Sequence, residues 1–257
     1  MPDTIVVTRP LAQAGALAGR IAARGHAAEV FPLLEIHPLP DQEPLKAALA
    51  DVGRYAMVAF VIPNASDAAF AARPDWPTGD SAPALAVVGE GSRAALARHG
   101  LTDANARIHR PRDPGRSDSE ALLEVLDTAS LRGKPVLIVR GESGRELLAD
   151  ALRAAGAQVT ALPAYRRAAP VLDGARSARL ATLLEADSAW IVTSSEALHN
   201  LVEMAHALAG AAGVAKIQNK RLVVPHRRIA DTARQLGFHH IRLTGSGDDA
   251  LLAALPF

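Results

Sequence analysis

The chain of 257 residues contains no cysteine, and aromatic residues make up only 4% of it. Without cysteine the chain can form no disulfide, iron–sulfur ligation or thiolate zinc site, and it has no cysteine nucleophile. The shortage of aromatic rings leaves few platforms on which nucleobases or flat cofactors could stack. The absence of cysteine fits a protein of a reducing, intracellular compartment.

The sequence also lacks a long apolar run and an excess of either charge. No stretch approaches the roughly eighteen apolar residues of a membrane span, and the start, MPDTIVVTRP, lacks the basic and apolar regions of a signal peptide. Lys and Arg total 28 against 27 Asp and Glu, which gives a net charge of +1. We therefore expect a cytoplasmic protein with no affinity for nucleic acid or membranes, in which anions are attracted only by local clusters of basic residues.

What the chain does have is a regular alternation of β-rich runs and helical patterns. An apolar fraction of 49% over this length is enough for two hydrophobic cores. Gly25 and Gly156 follow two of the helical patterns as left-handed caps. The alternation is typical of parallel α/β sheets. The predicted strands span residues 4–7, 28–34, 57–61, 85–88, 135–139, 158–163, 189–192 and 222–224.

The sequence is internally duplicated, with a period of about 130 residues. Residues 4–35 and 134–165 both read as strand, arginine turn, helix, glycine and strand; VAFVIPNASDAAF pairs with AWIVTSSEALHNL, and LAVVGEGSRAALARHGL pairs with LVVPHRRIADTARQLGF. Two doubly wound, flavodoxin-like parallel sheets are the expected product, with binding groups at the carboxyl ends of the strands. A single large sheet is the alternative.

Proline-rich segments mark the connections in this plan. Residues 73–83 and 109–119 are rich in Pro, Gly and polar residues and are expected to be surface loops. EIHPLP and YRRAAP, residues 35–40 and 165–170, fall where the two sheets are joined. Their prolines favour extended linker strands over helices.

Six segments, taken in order, resemble the uroporphyrinogen-III synthase family: VTRP (7–10), VVGEGS (87–92), RGESGRELLADALRAAGAQV (140–159), AYRR (164–167), VTSSEAL (192–198) and HRRIADTARQLGF (226–238). The resemblance covers nearly the whole chain. It implies two flavodoxin-like domains, one of them discontinuous, joined by a two-stranded linker. We expect residues 1–36 with 169–257 to form the discontinuous domain and residues 37–168 to form the inserted one.

The resemblance also implies a reaction. Hydroxymethylbilane, a linear tetrapyrrole with many carboxylates, would lose its terminal hydroxyl and close through a spiro intermediate to uroporphyrinogen III, with the last pyrrole ring inverted. No metal or organic cofactor is implied. A monomer that receives its substrate from hydroxymethylbilane synthase is the expected form of the protein.

Arginines at the predicted strand ends suit a polycarboxylate substrate, because the guanidinium fork matches a carboxylate and helix amino termini add N–H donors. Arg9 and Arg140 open strand-to-helix turns, which makes them the strongest candidates. The alternative is that these are ordinary exposed arginines of an arginine-rich protein. The candidates expected to line one cleft are Arg9, Arg140, Arg145, Arg166, Arg167, Arg227 and Arg228, with Gly141 and His226 beside them in the family's motifs.

Hydroxyl groups at predicted helix starts form a second set of candidates. Thr193, Ser194 and Ser195 follow one strand, and Ser92 follows the turn at Gly89–Gly91. In the family such positions contact the acidic side chains of the substrate, whereas the alternative is helix capping, which needs the same residue types. In the other half, Val61–Pro63 stands where family members often carry a hydroxyl, so Asn64 is the polar side chain left to serve that edge.

Tyr165 matches the tyrosine to which the family's general acid is most often assigned. A phenol keeps its proton at neutral pH but is a weak donor for a leaving hydroxyl, so only a modest rate contribution is expected. Much of the catalysis would then be positioning, which forces the ring to invert before closure. The alternative is that Tyr165 is a linker residue packed for structural reasons.

Other patterns are weaker. The nine histidines show no metal-ligand spacing, GEG at residues 89–91 lacks the rest of a dinucleotide fingerprint, and no G-x-S-x-G surrounds the TSS segment. In LTGSGDD (243–249), Thr244 and Ser246 are candidate contacts, while Asp248 and Asp249 are expected to cap the final helix. Two rival functions remain open: a non-catalytic tetrapyrrole or anion sensor, and a pair of phospho-receiver domains, although the strand ends lack the acidic cluster that receivers need.

Overall fold

The computed structural model describes residues 4–79, 81–113 and 115–255. The strands are β1 (Thr4–Val7), β2 (Ala27–Val30), β3 (Glu35–Pro38), β4 (Met57–Phe60), β5 (Ala84–Val87), β6 (Ile108–His109), β7 (Pro135–Gly141), β8 (Gln158–Ala168), β9 (Ser188–Ile191), β10 (Arg221–Val224) and β11 (His240–Leu243). The helices are α1 (Leu11–Ala22), α2 (Glu43–Ala50), α3 (Pro63–Ala72), α4 (Glu90–Arg98), α5 (Ser119–Leu123), α6 (Leu147–Ala154), α7 (Gly174–Glu185), α8 (Ser195–Gln218), α9 (Arg227–Gln235) and α10 (Asp248–Ala253).

The chain divides into two compact units. Unit 1 comprises Met1–Glu35 and Ala168–Phe257, and unit 2 comprises Ile36–Arg167. Unit 1 has a five-stranded sheet in the order β11-β10-β9-β1-β2, and unit 2 has a six-stranded sheet in the order β3-β8-β7-β4-β5-β6. The alternative of one large sheet is therefore wrong, and the predicted mixed α/β architecture with parallel sheets is confirmed.

The two sheets have the same strand order, although the chain follows a different path through each of them. Counted from its first strand, unit 1 has the order 2-1-3-4-5, which is that of flavodoxin-like folds, and its pairings are parallel. In unit 2 the strands β8-β7-β4-β5-β6 repeat this order, again with parallel pairings. Strand β7 stands where β1 stands, β4 where β9 stands and β5 where β10 stands. The segments paired in the sequence thus occupy equivalent strands.

Each sheet is covered on both faces, because its inner strands consist mainly of apolar residues that alternate between the two faces. In β1, Ile5 and Val7 join the core formed with α1 and α10, whereas Val6 joins the core formed with α7, α8 and α9. In β4, Val58 and Phe60 face the core of α2, α3 and α4, while Met57 and Ala59 face that of α5 and α6. Parallel sheets buried on both faces require such continuous apolar runs.

Two strand boundaries differ from the sequence prediction by more than two residues. Strand β2 ends at Val30 rather than at residue 34, although the Phe31 and Leu33 N–H groups still donate to the Val7 and Thr8 carbonyls at 3.0 and 3.1 Å. Strand β8 runs to Ala168, beyond the predicted end at residue 163. The predicted left-handed glycines are confirmed, with φ of 83° at Gly25 and 91° at Gly156. The described parts of the predicted loops are irregular from residue 73 to 83 and from 110 to 118, with Asp80 and Pro114 outside the described residues.

Helix α8 is interrupted near its middle. Ala209 and Gly210 have non-helical backbone angles, and Gly210 has a φ of 57°, which favours glycine. Beyond the kink, Gly213 is buried against the Ala205 carbonyl so closely that a Cβ would not fit. Within the described part of the chain, no helix is both long enough and apolar enough to cross a membrane.

Candidate functional site

The parallel topology of unit 1 brings several predicted site residues to one edge of its sheet. Strands β1, β9 and β10 are neighbours that run in the same direction, so their carboxyl ends coincide. Arg9 follows β1, Thr193 and Ser194 follow β9, and His226 follows β10. In this unit the predicted residues at the shared edge are Arg9, Thr193, Ser194, Ser195, His226 and Arg228.

The hydroxyl groups after β9 do not cap α8. Ser194 occupies the N-cap position but makes no side-chain cap hydrogen bond. Within residues 4–79, 81–113 and 115–255, neither the Thr193 nor the Ser194 hydroxyl has a hydrogen-bond partner, and both side chains are half-buried. The Ser195 hydroxyl lies 3.0 Å from that of Thr232, which donates in turn to the Arg228 carbonyl at 3.0 Å. Ser195 therefore ties α8 to α9 and leaves its two neighbours available to a ligand.

The first turn of α9 concentrates positive charge. His226 is its N-cap residue, Arg227 and Arg228 are the first two helical residues, and the first turn contains no acidic residue. Both arginines are exposed, and neither forms an ion pair with any described residue. Because the amino end of a helix already carries partial positive charge, two cations there are unfavourable by about 0.3–1 kcal/mol each. The arrangement favours an anion at this helix end.

Arg9 is held by an acidic residue from the far end of the chain. Its guanidinium donates to Asp248 at 2.7 Å, and its side chain is only 18% exposed. The next residue, Asp249, pairs with Arg20, whose hydrogen bond lowers the pKa of that carboxyl. The expectation that these two acids cap the final helix is wrong, since Gly247 is the N-cap of α10 and the acids form ion pairs from its first turn.

The other two candidates in LTGSGDD lie at the same edge. The Thr244 hydroxyl donates to the Ala250 carbonyl at 2.9 Å, which ties the turn after β11 to α10. Ser246 is half-buried immediately before Gly247. Thr244 therefore has a structural role within this turn.

In unit 2 the ends of β7 and β8 place Tyr165 over Gly141. A register shift between Arg140 and Gly141 sets Gly141 opposite Tyr165, and the Glu142 N–H donates to the Tyr165 carbonyl at 2.9 Å. A Cβ on Gly141 would lie 2.8 Å from the Tyr165 hydroxyl oxygen. Tyr165 is 3% exposed and belongs to the core formed with α2, α3 and α4. Only glycine at position 141 allows this ring position.

Two arginines at the same edge, Arg140 and Arg145, form ion pairs within unit 2. Arg140, with 11% of its side chain exposed, forms an ion pair with Glu146. Arg145 makes two hydrogen bonds to Glu120, at 2.7 and 3.1 Å, which raise its pKa. Arg166 is exposed and has no ion pair among the described residues. A carboxylate ligand would reach Arg166 directly but would have to exchange with Glu146 or Glu120 at the other two.

Arg167 follows Arg166 in β8 but has a fixed position. Its guanidinium donates to the Ser143 carbonyl and hydroxyl at 3.3 and 3.1 Å. The guanidinium thereby supports the turn that follows β7. Consecutive residues of the strand thus differ in exposure, with Arg166 exposed and Arg167 half-buried.

The remaining candidates of unit 2 lie after β4 and β5. Pro63 is the first residue of α3, so this helix begins with proline where the equivalent helix α8 has a serine; Asn64 follows it and is half-buried. Ser92 lies in the first turn of α4 and is 2% exposed. Ser117 packs against Gly89 and leaves no room for a Cβ there. Sequence reasoning missed Ser117, since its segment was predicted only as a surface loop.

The chemistry of the two described edges differs from that of a metal centre. Among the described residues, no group of three or more His, Cys, Asp or Glu is placed to hold a metal ion. The groups assembled at the two sheet edges are guanidinium, hydroxyl, amide and phenol groups. Such groups bind carboxylates and transfer protons.

The fold and these edges define a class of protein: α/β chains built from two flavodoxin-like units, one of them discontinuous, with arginines and hydroxyls at the carboxyl ends of both sheets. The sequence model of the family described as uroporphyrinogen-III synthase HemD matches residues 15–244. The chain belongs to the uroporphyrinogen-III synthase family, as its sequence motifs indicated.

Individual relatives agree with this assignment. The chain is 33% identical over 263 residues to uroporphyrinogen-III synthase of Escherichia coli (strain K12). The aligned region covers 98% of this chain and 99% of the relative. The chain is 33% identical over 257 residues to that of Salmonella typhimurium, with the same coverage. The crystal structure of a mutant uroporphyrinogen III synthase from Thermus thermophilus superposes with a TM-score of 0.56 at 18% identity, over 97% of this chain and 96% of that one. The last likeness concerns the fold alone.

Proposed function

We propose that the protein cyclises hydroxymethylbilane to uroporphyrinogen III, with loss of water and inversion of the last pyrrole ring, as a lyase that needs no cofactor. Membership of an enzyme family of tetrapyrrole biosynthesis supports the proposal. The structural observation that carries it is the first turn of α9, where Arg227 and Arg228 lack carboxylate partners among the described residues. A substrate with many carboxylates supplies the anions that this helix end favours.

Substrate contacts in unit 1 follow from the available donors. Arg228 and the N–H groups at the start of α9 bind one carboxylate, and the half-buried Thr193 and Ser194 hydroxyls donate to a second at the start of α8. Arg9 completes this edge, with its guanidinium held in place by Asp248. Helix amino termini and guanidinium groups are both suited to carboxylates, so one edge orients the side chains of neighbouring pyrroles.

Substrate contacts in unit 2 begin with Arg166, which is exposed, and with Asn64 and Ser92 at the starts of two helices. Arg140 joins them when a substrate carboxylate replaces that of Glu146, which is itself about half-exposed. The exchange of one carboxylate for another keeps the guanidinium paired and therefore costs little. Gly141 contributes because the absence of a side chain there leaves room for the Tyr165 ring.

Tyr165 is the proposed general acid. Departure of the terminal hydroxyl as water requires a proton, and a phenol is protonated in neutral water. The pairing with Gly141 fixes the hydroxyl at the end of β7. Positioning of the linear substrate then decides which carbon of the last ring is attacked, so that closure follows inversion.

Three further properties belong to the proposal. The two compact units correspond to two domains, residues 1–36 with 169–257 and residues 37–168, joined through strands at residues 35–40 and 165–170. The protein acts in the cytoplasm as a monomer. Its substrate, which is chemically unstable, passes to it from hydroxymethylbilane synthase.

The two tyrosines of the chain provide the test of this assignment. Tyr165→Phe should lower kcat by about 100-fold, at the low end of general acid catalysis, with little change in KM. Tyr55→Phe is the matched control, because Tyr55 is equally buried at 3% and its hydroxyl is bonded to Arg54 at 2.6 Å in the same unit. Equal kcat values for the two variants would remove Tyr165 from the mechanism.

A further inference from the structure

A separate cavity of about 350 Å³ lies at the opposite end of the unit 2 sheet. Its lining includes Met57 and Ala84, the first residues of β4 and β5, and Lys134, which precedes β7. The predicted site residues lie at the carboxyl ends of the same strands. A four-residue strand spans about 13 Å, so the cavity is distinct from that edge.

The floor of the cavity is apolar. Met57, Ala84, Leu126 and Leu131 line it, and each is at most 9% exposed. These residues belong to the core formed with α5 and α6. The cavity is therefore a recess in the hydrophobic core, and it offers a surface that an apolar group would cover.

The rim of the cavity is basic. Arg107 and Lys134 line it and are exposed, and neither forms an ion pair with a described residue. The acidic residue among the described lining is Asp127, whose carboxylate accepts from the Ser130 N–H at 3.2 Å and so supports the turn that begins there. Two cations against one carboxylate leave the described rim with a charge of +1. Asp80 lies outside the described residues.

His109 adds a polar group between floor and rim. Its ring is half-buried, and burial, followed by the neighbouring Arg107 charge, lowers its pKa. The imidazole is consequently neutral at neutral pH and presents a hydrogen-bonding nitrogen without adding charge. A recess with an apolar floor, two cations and a neutral imidazole suits a ligand that is apolar at one end and anionic at the other.

We propose that this cavity binds a small organic anion, a carboxylate or phosphate carried on an apolar body. The apolar body covers Met57, Leu126 and Leu131, while the anionic group lies between Arg107 and Lys134. This site does not depend on the proposed synthase reaction, because none of its lining residues belongs to the carboxyl edges.

Binding can be tested on the whole protein by NMR titration of its backbone amides, without substrate. The probes are benzoate and phenyl phosphate, which share an apolar ring and differ in the anion. Benzyl alcohol lacks the charge, and inorganic phosphate lacks the ring. Saturable shifts at the starts of β4, β5 and β7 with either ring-bearing anion support the proposal, and the tighter of the two identifies the preferred anionic group. Equal binding of benzyl alcohol, or no saturable shift at these strands, would overturn it.

Substitutions in the rim test whether the charges of Arg107 and Lys134 contribute to ligand binding. Arg107→Gln and Lys134→Gln should each weaken the preferred probe about tenfold, the loss typical of one charge-assisted hydrogen bond. Arg153→Gln is the matched control, since Arg153 is exposed in the same unit, pairs with Asp150 at 3.2 Å and lies outside the lining. Unchanged affinity in both rim variants, with melting temperatures showing that they fold, would refute the site. Synthase activity should be the same in all three variants.

Discussion

The phenol ring of Tyr165 occupies the space that a side chain at Gly141 would need. A Cβ on Gly141 would lie 2.8 Å from the hydroxyl oxygen and 2.9 Å from the ring carbon that bears it, both closer than real contacts allow. The two residues face each other across β7 and β8, directly after the register shift at Arg140. The position of the proposed general acid is thus set by the absence of a side chain on the neighbouring strand.

Gly141→Ala should therefore impair catalysis through Tyr165. We expect a fall in kcat that approaches the effect of Tyr165→Phe, because a methyl group must displace the ring by several tenths of an ångström. Combining the two substitutions should add little, since both remove the same hydroxyl from its position. The control is Gly53→Ala in the same unit, where a Cβ meets nothing within 4 Å. Steady-state kinetics of the four variants provides the measurement, and additive effects would contradict the account.

Arg228 and Arg234 lie on the same helix in different electrostatic settings. Arg228 has no ion pair among the described residues, whereas Arg234 pairs with Asp231 at 2.6 Å. Arg228→Gln should raise KM for hydroxymethylbilane about tenfold by removing a charge-assisted hydrogen bond to a substrate carboxylate, with kcat nearly unchanged. Arg234→Gln should leave KM as it is. Equal KM values for the two variants would exclude Arg228 from substrate binding.

Two buried serines should respond in opposite directions to truncation. Within the described part of the chain, the Ser66 hydroxyl is buried in α3 without a hydrogen-bond partner. The Ser188 hydroxyl donates to the Leu183 carbonyl at 3.2 Å and accepts from the Trp190 indole at 3.0 Å. Ser66→Ala should raise the free energy of unfolding by about 1 kcal/mol, and Ser188→Ala should lower it by about 1–2 kcal/mol. Urea unfolding measures both; a loss of stability in Ser66→Ala would show that its hydroxyl is satisfied.

His109 should make the protein less stable in acid. Burial lowers its pKa in the folded protein below the ordinary value of 6.5 that it has when unfolded. The stability linked to its neutral form is complete above that value and is lost as pH falls through the folded pKa, because the unfolded chain then binds the extra proton. His109→Asn should therefore lose less stability than the parent protein when the pH is lowered from about 8 to about 5. Urea unfolding at the two pH values tests this, and equal losses would contradict it.

Much of the fold was predictable from local pattern. Apolar runs such as Val136–Val139 are too short for helices and fit buried strands. The duplicated segments showed which strands are equivalent. The end of β2 was not predicted, because Phe31 and Leu33 are buried and apolar and still donate to the Val7 and Thr8 carbonyls, so the strand pattern continues past Val30. The kink at Gly210 was also missed, since the apolar positions continue through it along α8.

The candidate site was predictable as a set of residue types but not as a set of contacts. Strand ends rich in arginine and hydroxyl groups follow from the order of motifs and from parallel topology. The pair of Arg9 and Asp248, 239 residues apart, depends on the packing of α10 and has no local signature. The placement of Tyr165 over Gly141 likewise depends on a one-residue shift in register, which strand propensities do not encode.

The most direct test of the proposed function is to supply the purified protein with hydroxymethylbilane, oxidise the products and separate the type I and type III isomers by chromatography. Without a catalyst the substrate closes with its last ring unflipped and forms the type I isomer. We predict mainly the type III isomer, formed without added metal or cofactor and in smaller proportion by Tyr165→Phe. Only the type I isomer, appearing at the rate seen without protein, would contradict this prediction and would identify the chain as a binding protein with a synthase fold.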